Sequence, residues 1–312
     1  IRAGEKSMTF KVKILPVFLC IVLFLFGCQK KQEAYVSAST TIRDNTPVCL
    51  VPSADGRIVF SNEYVTVDAS NASEGYIMAA YLGSNSNVKL QLTGPDYMTY
   101  TYDMVSSDYE VFPLSAGTGA YTVGVYENVE GSQYATIFSQ EIPVEITNAM
   151  GPFLYPNQYV KFDASSQVVA AAKDLSANCH DDLEVIISVY NYVVENITYD
   201  YDKAENVKSG YIPDVDEILR SKTGICLDYS SVMASMLRSQ QIPTRLEVGY
   251  AGEAYHAWIS TYVEDQGWVN GIIQFDGQNW SLMDPTFAAN AKEKELKSFI
   301  GDGSNYVTKY IY

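Results

Sequence analysis

Between residues 50 and 148 apolar and polar side chains alternate in short runs, the period of a strand with one buried face. The runs fall at 57–60, 64–69, 76–82, 88–92, 97–102, 109–114, 121–126 and 135–146. Clusters of Gly, Asn, Ser and Asp separate them, as turns require. Seven or eight strands at this spacing predict an all-β sandwich over residues 49–150. Within it, the string from Gly119 to Tyr126 resembles the late strand of immunoglobulin-like folds, where a tyrosine staples a corner. No catalytic constellation is visible there, which makes this region a spacer or a non-catalytic binding module. Residues 151–157, with Pro152 and Pro156, read as the link to a second domain at 151–312.

The period then changes. Val168, Val169, Ala172 and Leu175 form one helical stripe, and Leu183, Ile186, Ile187, Tyr190, Val193, Val194 and Ile197 form a stronger one. Pro213 is expected in the first turn of a helix over 214–221. Val232, Met233, Met236 and Leu237 place another helix over 226–240, ended before Pro243. Beyond it the period falls to two. Runs at 244–250, 255–262, 271–275 and 279–283 read as successive strands of an antiparallel sheet. Helices laid on such a sheet make the second domain α+β.

The chain begins differently. Lys11 and Lys13 precede an apolar run from Ile14 to Phe26. That run is too short for a membrane span, which needs about 20 apolar residues, and fits the core of a secretory signal peptide. Met8 is read as the natural start. The run closes with Leu25, Phe26, Gly27 and Cys28, which resembles a bacterial lipobox. The resemblance implies a signal peptide over 1–27, removal at Gly27, a lipid on Cys28, and an extracytoplasmic protein anchored to a membrane by its acyl chains. Residues 28–48 are expected to be a tether.

Charge narrows the partners. The 312 residues carry a formal charge of −16. Removal of 1–27 leaves 17 basic against 36 acidic side chains, a formal −19. Phosphate binding needs clustered Lys and Arg, so nucleic acid is not expected as a partner. Two histidines and no Cys-x-x-Cys spacing argue against a zinc site. Asp200, Asp202 and Asn206 lack the rest of a calcium loop. No phosphate-cradling loop is present, so neither metal nor cofactor is expected.

Of the five cysteines, Cys20 lies in the leader and Cys28 would carry lipid. Cys49 and Cys179 could pair, but fall in different predicted domains. Cys226 has no evident partner, and an unpaired cysteine in an exported chain calls for a chemical reason. Gly224 permits a sharp entry to the helix, which sets Cys226 at a helix N-terminus, where unsatisfied N–H groups favour an anion. His256 opens a later strand and Asp284 ends another. A thiol, an imidazole and a carboxylate supply a nucleophile, its base and an orienter for that base. His180 is a weaker candidate, because adjacent residues such as Cys179 and His180 do not face each other on a helix. Asp228 is read as a local cap or an ion-pair partner of Arg245, and Trp258 as packing or shielding for the site.

The segment from Gly224 to Tyr229, then Ile242–Arg245, then His256-Ala257-Trp258, then Trp280–Thr286, resembles the transglutaminase-like superfamily core over about residues 160 to 312. The resemblance implies a papain-like fold, with Cys226 as nucleophile, His256 as general base and then acid, and Asp284 as orienter. It implies a cysteine peptidase or amidase, a true transglutaminase, or a member without activity. The substrate would be a peptide, a protein or the peptide part of peptidoglycan. One departure is visible. Animal transglutaminases carry a tryptophan upstream of the cysteine, whereas Trp258, Trp268 and Trp280 all lie downstream here. Papain-like peptidases carry a glutamine shortly before it, and none is present. Tyr199 or Tyr201 is therefore the candidate for a second oxyanion donor beside the Cys226 N–H.

Overall fold

The computed structural model describes residues 39–104, 107–264, 267–270, 273–275, 280–282 and 306–312. The predicted leader, Cys28 and Asp284 lie outside the described residues. Residues 34–312 form a single compact unit.

Eight strands make up its first half: β1 (Val59–Ser61), β2 (Val65–Asp68), β3 (Tyr76–Tyr81), β4 (Val88–Thr93), β5 (Thr99–Asp103), β6 (Glu110–Pro113), β7 (Gly119–Glu130) and β8 (Gln133–Val144). They form two four-stranded antiparallel sheets, ordered β1-β2-β3-β6 and β5-β4-β7-β8. Alternation sets the register. On β4, Val88, Leu90 and Leu92 are buried while Lys89, Gln91 and Thr93 are half-buried. Leu90 stands opposite Tyr102 on one side and Val125 on the other, and Val125 opposite Phe138, a buried row across four strands. A one-residue slip would turn that row outward. The Tyr121 hydroxyl donates to the Gly117 carbonyl at 2.9 Å and pins the chain where it enters β7. All of β3 is buried, and the Tyr76 ring rests on Tyr155, in the stretch leading to the second half.

The second half runs through α1 (Gln167–Leu175), α2 (Asp182–Asn196), β9 (Thr198–Tyr199), α3 (Tyr201–Asn206), α4 (Val215–Ser221), β10 (Thr223–Gly224) and α5 (Cys226–Ser239). It continues with β11 (Thr244–Ala251), β12 (Ala254–Val263), β13 (Gly267–Asn270), β14 (Ile273–Phe275), β15 (Trp280–Leu282) and β16 (Tyr306–Ile311). α5 is central. Residues 228–239 are all buried, with α1, α2 and α4 packed on the helix and β11 and β12 against it. The architecture is mixed, a helical layer on an antiparallel sheet of order β13-β12-β11-β16.

Several expectations change in detail. Asp214 caps α4, which begins at Val215: its carboxylate accepts the Glu217 N–H at 3.0 Å and leaves Pro213 one residue outside the cap. Of the run expected at 271–275, residues 273–275 form β14, which pairs with β15 as a ladder separate from the main sheet, and the strand beside β12 is β13 at 267–270, outside that run. Cys49 and Cys179 are free thiols. The stretch read as a tether is docked from Arg43 onward. The Arg43 N–H bonds the Cys179 carbonyl at 2.8 Å, its guanidinium meets Asp182 at 2.6 Å and also the Gln240 carbonyl, and the Val48 N–H bonds Ser239 at 2.8 Å.

The two halves share their interior. One apolar cluster runs from Val65 to Tyr312. Tyr100, Tyr102, Tyr159 and Tyr312 meet ring to ring along the seam, and the Gln158 amide donates to the Asp103 carbonyl at 2.7 Å. Arg238, 1% exposed, gathers the second half from inside. Its guanidinium donates to the carbonyls of Thr244, Tyr155 and Tyr312 at 2.7–3.0 Å.

Candidate functional site

The approach to Cys226 is built by a short parallel pair. Thr223 and Gly224 of β10 stand opposite Thr198 and Tyr199 of β9. The Thr198 N–H bonds the Lys222 carbonyl at 2.8 Å, and the Asp200 N–H bonds the Gly224 carbonyl at 2.9 Å. Lys222 takes a left-handed conformation, φ 56°, which turns the chain out of α4. Ile225 is extended, φ −98° and ψ 177°, and α5 begins at Cys226. The thiol is half-buried on the first turn, where backbone N–H groups lack helical partners.

Asp228 holds this turn. It is fully buried, and its carboxylate accepts the Ile225 N–H at 2.8 Å, the Lys203 ammonium at 2.5 Å and the Tyr211 hydroxyl at 2.7 Å. The Lys203 ammonium also donates to the Tyr211 oxygen at 2.7 Å. Burial, then the bond to Asp228, pushes the Tyr211 phenol well above its ordinary value. Gly224 is required for space as well as for turning: a Cβ there would lie 2.7 Å from the Asp228 Cβ. Asp228 is thus a local cap, as the sequence suggests, but its ion-pair partner is Lys203. Arg245 lies elsewhere, with its guanidinium 3.7 Å over the Trp268 ring and 4.8 Å over Phe153. Burial pulls that guanidinium below its ordinary value.

His256 is buried near the start of β12, and its register partner on β11 is Gly249. A Cβ at Gly249 would collide with the Val307 carbonyl of β16, so glycine lets that strand close over the sheet. The imidazole stacks on Trp258 with centroids 6.3 Å apart and planes at 24°. Alternation puts His256, Trp258 and Ser260 on one side of β12, and Tyr255, Ala257 and Ile259 on the other. Because α5 packs on β12, the helix that starts at Cys226 lies against the strand that carries His256. The Tyr255 phenol, next in sequence to the imidazole, is raised by burial first, with smaller contributions from Tyr310, Tyr250 and Cys226.

Tyr199 stands opposite Gly224, two residues before the thiol, and its ring meets Tyr201 at 4.9 Å and Tyr229 at 6.4 Å. Tyr201 is 61% exposed. Asp284, the third predicted member, lies outside the described residues, as does the lipidation candidate Cys28. His180 sits at the start of α2 with its ring 3.0 Å from Glu184, a local pair remote in sequence from the Cys226 turn. Sequence reading missed Lys203 and Tyr211. They lie 25 and 17 residues from Asp228, beyond the reach of local periodicity. A cavity of about 660 Å³ opens along the seam of the two halves, lined by Met78, Asp108, Glu110, Gln158, Asp163 and Asp216 among others. Neither Cys226 nor His256 lines it. Among the described residues no cluster of three or more His, Cys, Asp or Glu side chains could hold a metal. No described helix is long and apolar enough to cross a membrane.

Residues 169–271 match the family model of the transglutaminase-like superfamily, so this segment carries a transglutaminase-like core. It spans α5, with Cys226, and β12, with His256. The chain is 28% identical over 129 residues to UPF0252 protein MJ1282 of Methanocaldococcus jannaschii, covering 38% of this chain and 35% of that one. It is 31% identical over 116 residues to the uncharacterized protein YebA of Bacillus subtilis, covering 29% of this chain and 15% of that one. The chain thus spans about a third of the first relative's length and less of the second's. Among solved structures, the periplasmic domain of TgpA from Pseudomonas aeruginosa is similar at a TM-score of 0.33 and 14% identity, over 74% of this chain and 95% of that one.

Proposed function

We propose that the protein is a thiol enzyme that cleaves or transfers acyl groups at amide bonds of peptides, proteins or cell-envelope peptides. The observation that carries this reading is the position of Cys226. It opens the central helix of a transglutaminase-like core, and that helix packs against the strand bearing His256. In the reading, the Cys226 thiolate attacks the amide carbonyl, and a thioester forms as the amine departs with a proton from the His256 imidazolium. Asp284 holds the imidazole in the productive tautomer. Water then attacks the thioester, His256 takes its proton, and a carboxylate and the free thiol result. An amine in place of water gives transfer. Hydrolysis is preferred, since transfer needs a channel that excludes water. The Cys226 N–H is one oxyanion donor, and the Tyr199 or Tyr201 hydroxyl is the candidate for the second.

The same proposal places the protein outside the cytoplasm, held to a membrane by lipid on Cys28, with residues 49–150 as an immunoglobulin-like module beside the catalytic part. The bond from Tyr121 to Gly117 supports the module's assignment, because such corners pin the entry to a late strand. The test is a peptide-library digest with Cys226→Ala beside the parent chain, together with a labelled primary amine. Turnover that ends in the variant supports the reading. Incorporation of the amine selects transfer. Turnover unchanged in Cys226→Ala refutes the thiol role, and an inert thiol with peptide binding would make the chain a non-catalytic binder.

A further inference from the structure

We propose that Lys203, Asp228 and Tyr211 form a positioning network for Cys226, which fixes the turn that presents the thiol and balances the charge beneath it. The proposal rests on the thiol-enzyme reading above and extends it to residues that never touch substrate. Four observations support it. The Asp228 carboxylate is fully buried and takes the Ile225 N–H at 2.8 Å, so it grips the residue directly before the thiol. Its charge stands two residues from Cys226 on the same helix, where an unbalanced carboxylate would oppose a thiolate. The Lys203 ammonium lies 2.5 Å from that carboxylate, with its side chain 28% exposed, and supplies the balancing charge from a different element. Tyr211 closes the group by donating to Asp228 at 2.7 Å while accepting from Lys203 at 2.7 Å, and the ammonium lies 4.3 Å from the Tyr211 ring centre.

A cap alone would not need this arrangement. At this third helical position an uncharged amide side chain can also accept the N–H of the N-cap residue. A buried carboxylate paired with a lysine from another helix sets both the turn and the local potential. The elements around the thiol carry other titratable groups: Tyr199 on β9, Asp200 and Tyr201 at the start of α3, Tyr229 on α5 itself, and Tyr255 and His256 on β12. Substitutions at Lys203 and Asp228 leave all of these unchanged, so the comparison below isolates the network.

The test follows iodoacetamide modification of the peptide containing Cys226 by mass spectrometry across pH, with Cys49 and Cys179 as internal references and thermal melting to verify the fold. Lys203→Met leaves Asp228 unbalanced and moves the Cys226 profile to higher pH by on the order of 1 unit. Asp228→Asn leaves the ammonium unbalanced and moves it to lower pH. The double variant returns towards the parent, and Lys203→Arg keeps the parent profile. A purely structural role would lower the melting temperature without opposite shifts. If Asp228→Asn does not fold, the partly exposed Lys203 variants carry the test. A Lys203→Met profile that superimposes on the parent, or single-variant shifts of the same sign, overturns the network. A parent chain whose Cys226 fails to label overturns the thiol reading, and the network with it.

Discussion

The two halves of the molecule use their interiors in opposite ways. In the strand half, buried positions are apolar almost throughout, and Asp68 is the charged exception among its described buried residues. In the helical half the interior holds Asp228, Arg238, Glu247, His256 and a run of serines and threonines. The Glu247 carboxylate accepts from Ser260 at 2.5 Å and from Thr308 at 2.6 Å. Arg238 spends its donors on three backbone carbonyls. Apolar burial is non-directional and tolerates exchange of similar volumes. A buried polar network fixes one geometry and is costly when half satisfied. The contrast shows where this chain needs exact placement of side chains, and that is the half that carries the candidate thiol.

The contrast can be broken by substitutions that preserve volume. Arg238→Met keeps most of the bulk and removes the guanidinium from the carbonyls of Thr244, Tyr155 and Tyr312, the last of which keeps the Leu246 N–H, so it should cost about 4 kcal/mol, read as the denaturation midpoint. The matching change in the strand half, Leu90→Met, should cost under about 1.5 kcal/mol. Equal losses would show that the two interiors do not differ as described. Leu90→Ala is the control for sensitivity and should cost about 3 kcal/mol through its cavity.

Gly224→Ala sharpens the comparison at the site itself. The new methyl would press on Asp228, whose Cβ lies 2.7 Å from it, and relief requires movement of the turn before Cys226. A loss of about 2 kcal/mol is expected, with slower labelling of Cys226. Gly56→Ala, where nothing lies within 4 Å of the added Cβ but φ is +71°, carries only backbone strain and should cost about 1 kcal/mol without touching the thiol.

The smallest effect concerns Cys49 and Cys179. Burial pushes both thiols up, and the Glu184 charge adds to the rise at Cys179. The folded chain keeps these protons at a pH where the unfolded chain sheds them. Their contribution to stability is therefore present below the ordinary thiol value and is lost as pH rises from there through the raised folded value. Replacing both by serine should flatten the alkaline limb of a stability profile slightly, and an unchanged limb would remove them as its cause.

The difference between the halves also decided what could be read in advance. All eight strands of the first half were legible because a half-buried strand writes its two faces as alternation, as on β4 with Leu90 between Lys89 and Gln91. α2 and α5 were legible for the same reason at helical period. β9 and β10 are two residues each and carry no period. α3 is six residues with none buried, so no stripe announces it. β16 pairs with β11 across more than fifty residues of sequence. At the site, Cys226 and its place at a helix start followed from Gly224 and the stripe behind it. Lys203 and Tyr211 were hidden, since only the folded chain brings them to Asp228.

The central claim is that Cys226 is a nucleophile activated by its surroundings, His256 above all. The most direct measurement is the rate of Cys226 alkylation from about pH 5 to about pH 9 in the parent chain and in His256→Ala, resolved by peptide. The account predicts that Cys226 in the parent outpaces Cys179 near neutral pH by at least about tenfold, and that His256→Ala loses most of this reactivity at the acid end while still folding. Superimposed profiles for the two proteins would contradict it.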